Sequence, residues 1–136
     1  MAHQLAEKFI EALRNLEETG DVAQIASLFA DEAEVNNVVT IENSHKLDAR
    51  QFWTNYRATF GEVKSEFRNK IYSENAAALE WTTTGTSADG SEIEYEGVSI
   101  LETGGGGERI TRFFAYFNPN KLGRQISEET AKGKEA

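Results

Sequence analysis

The sequence of 136 residues has no cysteine and a single proline. Without cysteine there is no disulfide framework, and the composition is compatible with a reducing compartment. No apolar run approaches the roughly 20 residues of a membrane-spanning helix. The opening Met-Ala-His-Gln-Leu-Ala-Glu-Lys has no apolar signal core. A cytoplasmic location is therefore the expectation. Positive charge is also scarce: 14 Lys and Arg stand against 23 Asp and Glu, for a formal net charge of -9. With no basic patch, neither nucleic acid nor an anionic membrane is an expected partner. The two histidines, His3 and His45, join no group of carboxylates at metal-ligand spacing, so no metal and no cofactor are expected.

What is present is a hydrophobic share of 39% with 10% aromatic residues. That is enough for one domain with a sizeable core. The segment Glu108-Arg-Ile-Thr-Arg-Phe-Phe-Ala-Tyr-Phe-Asn-Pro119 reads as a long strand with apolar groups on both faces, the pattern of a strand inside a sheet. Pro119 ends it, since proline cannot donate to a ladder. Upstream, Leu5, Phe9, Ala12, Leu13 and Leu16 fall at helical spacing, and Gly20 stops that helix. Asp21 opens a second helix carrying Val22, Ile25, Ala26 and Phe29. Residues 33–39 read as a strand with Val35, Asn37 and Val39 on one face. Asp48 caps a third helix, in which Phe52, Tyr56 and Phe60 align at steps of four beside Trp53.

From Gly61 the period becomes two. Phe67, Asn69 and Ile71 share a face, as do Leu79, Trp81 and Thr83, then Ile93, Tyr95, Gly97 and Ser99. Asp89-Gly90 is a hairpin signal. Gly104 to Gly107 join two strands; a phosphate loop would lead into a helix, so this run reads as a flexible hairpin. Helices followed by antiparallel strands predict an α+β class. The expected domain covers residues 1–119. Residues 120–136 form a charged tail expected to be mobile.

Three segments carry a family resemblance: Phe29-Ala-Asp-Glu-Ala-Glu-Val35, Tyr95-Glu-Gly-Val-Ser-Ile100, and Arg109 to Pro119. With the order of elements, they resemble the nuclear transport factor 2-like superfamily and, within it, the SnoaL-like proteins. The resemblance implies a cone-shaped curved sheet, mostly antiparallel, wrapped around N-terminal helices, with an interior pocket. It also implies a homodimer through the outer sheet face, where Val98, Ile100, Phe114 and Tyr116 would otherwise leave bulky groups in water.

The same resemblance tests the chain for chemistry. In the ketosteroid isomerases the general base is an aspartate on the first strand; the matching position is Asn37, which takes no proton at useful pH. In the limonene epoxide hydrolases an Arg and an Asp on the strand before the hairpin work with an Asp on the last strand. The matching positions are Trp81, Thr83 and Ala115. Neither acid–base set is present. His45, Tyr56 and Tyr95 are the remaining catalytic candidates, with His45 read chiefly as a loop residue beside a helix cap. Glu17-Glu18 reads as solvated helix-end charge. The expected pocket lining is Trp53, Tyr56, Trp81, Tyr95, Phe113 and Phe117, beside Asn37, Asn69, Thr83 and Ser99. That lining suits a small, flat, uncharged ligand held by a few hydrogen bonds. A cyclase, isomerase or dehydratase, and a dimerisation module without ligand, are the alternatives.

Overall fold

The computed structural model describes residues 2–39, 48–104 and 108–120. In chain order the elements are α1 (Ala2–Thr19), α2 (Ala23–Ala26), β1 (Phe29–Asn37), α3 (Ala49–Ala58), β2 (Phe60–Tyr72), β3 (Ala76–Ser87), β4 (Glu92–Thr103) and β5 (Ile110–Phe117). The five strands form one sheet in the order β1-β5-β4-β3-β2. β1 runs parallel to β5, and the other neighbours are antiparallel. The two-faced strand β5 lies inside the sheet, as its apolar pattern requires.

α1 forms because its buried residues, Leu5, Phe9, Ala12, Leu13 and Leu16, recur at three- and four-residue steps. Gly20 ends it with φ 80°, a left-handed conformation that glycine adopts without a steric penalty. Its N–H donates to the Leu16 carbonyl at 2.8 Å. α3 begins where the Asp48 carboxylate accepts the Gln51 N–H at 2.7 Å, satisfying one of the unpaired donors of the first turn. Burying a large apolar side chain such as Phe9 contributes about 1.5–3 kcal/mol. Phe9, Trp53 and Phe113 bring α1, α3 and β5 together, with ring centroids 5.4 Å apart for Phe9–Phe113 and 5.1 Å for Trp53–Phe113.

Several boundaries differ from the sequence reading. Phe29 opens β1 rather than extending α2, Val39 lies in a turn beyond the end of β1 at Asn37, and Phe60 opens β2 rather than closing α3. A larger difference lies in the second half of β2. Phe67 pairs with Trp81 but Asn69 pairs with Glu80, so Arg68 is an extra residue in the strand. Such a bulge turns every later side chain to the opposite face. Asn69 and Ile71 therefore point away from the interior: the Asn69 amide hydrogen-bonds the Glu80 carboxylate, and Ile71 is 68% exposed. Lys70 and Tyr72 take the inner side instead and meet α1. There Lys70 Nζ lies 3.7 Å from Glu7 Oε1, and the Tyr72 hydroxyl donates to the same oxygen at 2.8 Å.

On the outer face the ladder pairs Val98 with Tyr116 and Ile100 with Phe114. Tyr116 is 47% exposed and the other three are half-buried. Charged neighbours pair across strands, as Arg112 does with Glu102 at 2.9 Å and Arg68 with Glu80 at 3.3 Å. The segment Gly105–Gly107, the charged residues from 121 onward and His45 lie outside the described residues.

Candidate functional site

Between the helices and the inner face of the sheet lies a cavity of about 260 Å³. β3 contributes Trp81 and Thr83, two residues apart and hence on one face. β4 contributes Tyr95 and Ser99, and β5 contributes Phe113, Ala115 and Phe117. Trp53 and Tyr56 come from α3, three residues apart on one side of that helix. Asn37 stands at the end of β1. Val39, Asn55 and Thr59 also line the cavity and are exposed, which marks the open end. Of the residues expected at the pocket, Asn69 alone is absent from the lining, because the Arg68 bulge turns it outward.

Aromatic edges shape the apolar wall. Tyr95 meets Trp81 edge-on at 5.2 Å and Phe117 at 5.3 Å between centroids. Gly97 makes this wall possible. A Cβ there would stand 2.8 Å from the Trp81 ring and closer still to the Tyr116 carbonyl oxygen. Only glycine therefore lets the indole lie across β4. The indole N–H of Trp81 donates to Ser99 Oγ at 2.9 Å.

The polar wall centres on Glu17, a residue whose place near a helix end predicts solvation. It is instead 6% exposed, and its bonds reach α3 and β2. Its carboxylate accepts the Tyr56 hydroxyl at 2.7 Å, the Ser65 hydroxyl at 2.6 Å and the Ser65 backbone N–H at 2.9 Å. Ser65 Oγ in turn lies 2.7 Å from Thr83 Oγ1. A signal for Glu17 does exist in the sequence, since it sits four residues after Leu13 and so continues the apolar stripe of α1. Ser65 has no such signal beyond its place on the inner face, opposite Thr83.

Burial, then the nearby Glu17, pushes the Tyr56 phenol well above its ordinary range. The same two causes raise Tyr95, again with burial first. Neither phenol is a ready proton donor near neutrality. The Tyr95 hydroxyl makes no hydrogen bond among the described residues, and the buried Trp53 indole N–H makes none either. Asn37 is half-buried rather than enclosed. Its side-chain oxygen accepts the Val39 N–H at 2.8 Å, the local turn that asparagine side chains favour. His3 is a surface residue, 3.9 Å from Glu7 and packed on Tyr72 at 4.3 Å. Among the described residues no group of three His, Asp or Glu could hold a metal ion. No described helix is long and apolar enough to cross a membrane.

The geometry has solved counterparts. An NTF2-like protein from Anabaena variabilis superposes with a TM-score of 0.74 at 14% identity, over 89% of this chain and 92% of that one. TerC, co-crystallised with polyporic acid, superposes with a TM-score of 0.74 at 14% identity, over 93% of this chain and 98% of that one. An LEH-like epoxide hydrolase from M. tuberculosis superposes with a TM-score of 0.67 at 18% identity, over 98% of both chains. At these identities the likeness establishes the fold, an α+β arrangement of the NTF2-like type. No curated protein matches the sequence. The SnoaL-like domain model, however, matches residues 6–113. By that match, the chain belongs to the SnoaL-like family.

Proposed function

We propose that the protein binds a small, uncharged, largely aromatic molecule in the interior cavity. The observation that carries this reading is the character of the lining. Aromatic rings enclose about 260 Å³, and no lining residue among those described carries a formal charge. Placing an ion there would leave its charge without a paired partner in an apolar surround. A flat neutral ligand matches the Trp81, Tyr95 and Phe117 edges and meets hydroxyls at Thr83 and Ser99. That TerC was co-crystallised with a small molecule, polyporic acid, supports by analogy the use of this interior as a ligand site.

The positions that match the charged groups of the epoxide hydrolases and ketosteroid isomerases, Trp81, Thr83, Ala115 and Asn37, all line this cavity and are all neutral. Turnover of limonene-type epoxides or 3-oxo-Δ5 steroids by those routes is not expected. One observation favours an enzyme as the second reading: the Glu17 carboxylate lies directly behind the cavity wall, bonded to the hydroxyls of the lining residues Ser65 and Tyr56. Native mass spectrometry of protein purified from cell extract tests the binding reading. A retained neutral mass that disappears on unfolding supports it, and ligand-free protein that also fails to take up added neutral aromatics overturns it.

We further infer a homodimer through the outer face, where the half-buried Val98, Ile100 and Phe114 adjoin the 47% exposed Tyr116 in one apolar stripe that a second copy would cover. Sedimentation at increasing concentration checks this, and a monomer throughout contradicts it.

A further inference from the structure

Glu17 does not line the cavity, yet it decides where the protons of the residues that do are spent. Ser65 has one hydroxyl proton, and the 2.6 Å contact gives it to Glu17. In the Ser65–Thr83 contact at 2.7 Å, Thr83 must then be the donor. Tyr56 likewise spends its proton on Glu17 at 2.7 Å. The longer 3.5 Å approach of Tyr56 to Ser65 thus joins two oxygens that have no proton left to share. The result is a directed array, Thr83 to Ser65 to Glu17 and Tyr56 to Glu17. Its cavity ends are oxygen lone pairs.

Beside these acceptors stands one donor. Tyr95 pairs with Thr83 across β3 and β4, so their side chains share a face. Its hydroxyl is uncommitted among the described residues and is close enough to Glu17 for that charge to act on it. A ligand oxygen placed here meets acceptors on Thr83 and Tyr56 and a donor on Tyr95. A hydroxyl group satisfies both requirements. An ether or carbonyl oxygen satisfies only Tyr95 and leaves the acceptors facing it unpaired.

We propose that Glu17 is a positioning residue that fixes the polarity of this wall, so that the cavity selects an uncharged aromatic alcohol or phenol over the corresponding ether. The proposal rests on the cavity being a ligand site and adds which chemical group the site demands. Sites built to pair a hydroxyl discriminate strongly, because the analogue lacking it strands their own polar groups.

The test compares binding of 2-naphthol, 2-methoxynaphthalene and 2-methylnaphthalene, followed by tryptophan fluorescence and calorimetry, in the native protein, Glu17→Gln and Thr83→Val. The native protein is expected to hold naphthol at least about tenfold more tightly than the ether. Thr83→Val removes the terminal acceptor at nearly constant shape. Glu17→Gln introduces an amide donor that can turn the hydroxyl array around. Each should shrink the naphthol-to-ether ratio to about threefold or less, without a matching loss for methylnaphthalene. If Glu17→Gln does not fold, Thr83→Val still decides the matter. Equal affinity for naphthol and ether in the native protein overturns the proposal and leaves the cavity reading standing. So does a ratio unchanged by Thr83→Val. Binding of none of the three probes overturns the cavity reading, and the proposal falls with it.

Discussion

The Tyr56 hydroxyl donates to the buried Glu17 carboxylate at 2.7 Å, across 39 residues of sequence. This bond ties α1 to α3, and the Ser65 bonds tie the same carboxylate to β2. One residue outside the cavity thereby holds three of the elements around it. Replacing Glu17 with Ala leaves the Tyr56 and Ser65 hydroxyls and an amide N–H without their acceptor. Each unpaired buried group costs about 1–3 kcal/mol, so marked destabilisation is expected in chemical denaturation. Glu17→Gln, which keeps one acceptor oxygen, should lose less. Equal stability of all three proteins would show that water satisfies these groups.

A second expectation concerns Gly97. Alanine there brings a Cβ to 2.8 Å from the Trp81 ring and closer still to the Tyr116 carbonyl, a backbone group that cannot move without disturbing β5. Gly97→Ala should cost about 1–3 kcal/mol as overpacking. It should also shift the tryptophan emission, because Trp81 must leave its place. A neutral substitution with unchanged emission would contradict the close approach.

The bulge at Arg68 gives a third. Ile71 is 68% exposed. Ile71→Thr should therefore change stability by no more than about 0.5 kcal/mol, the usual range for a surface position. Tyr72→Phe should be felt more, through the lost bond to Glu7. A loss of several kcal/mol from Ile71→Thr would place that side chain in the core and remove the bulge.

That bulge also shows where sequence reading stops. Period two places Leu79, Trp81 and Thr83 on one face, and the structure agrees because β3 runs without interruption against β4. It fails after Phe67, since an extra residue leaves the composition unchanged and alters only the register. Glu17 escapes for a different reason. An acidic residue near a helix end is usually solvated, and the groups that donate to it, on Tyr56 and Ser65, lie 39 and 48 residues away in sequence. The α+β class, the interior position of β5, the Gly20 stop and the Asp48 cap are legible because each rests on local chemistry.

A fourth expectation follows from Tyr56 and Tyr95, both raised by burial first and Glu17 second. The folded protein then keeps protons that the unfolded chain releases at about pH 10. Their stabilising contribution is full below about pH 10 and is lost as the pH rises toward the folded-state values. Thermal stability should therefore fall steeply above about pH 10, with tyrosinate absorbance appearing only on unfolding for these two. Tyr95→Phe should flatten the fall. An unchanged slope would mean that Tyr95 titrates freely in the folded state.

The most direct test of the central claim is a fluorescence titration of the native protein and of Ala115→Phe with one neutral bicyclic aromatic, 2-naphthol. Ala115 is buried on the β5 wall and lines the cavity beside Phe113 and Phe117, so a phenyl group there occupies the proposed ligand volume. Saturable quenching of Trp81 and Trp53 is expected in the native protein, and its loss in an Ala115→Phe protein that still unfolds cooperatively. Equal binding by both proteins, or saturable binding by neither, would contradict it.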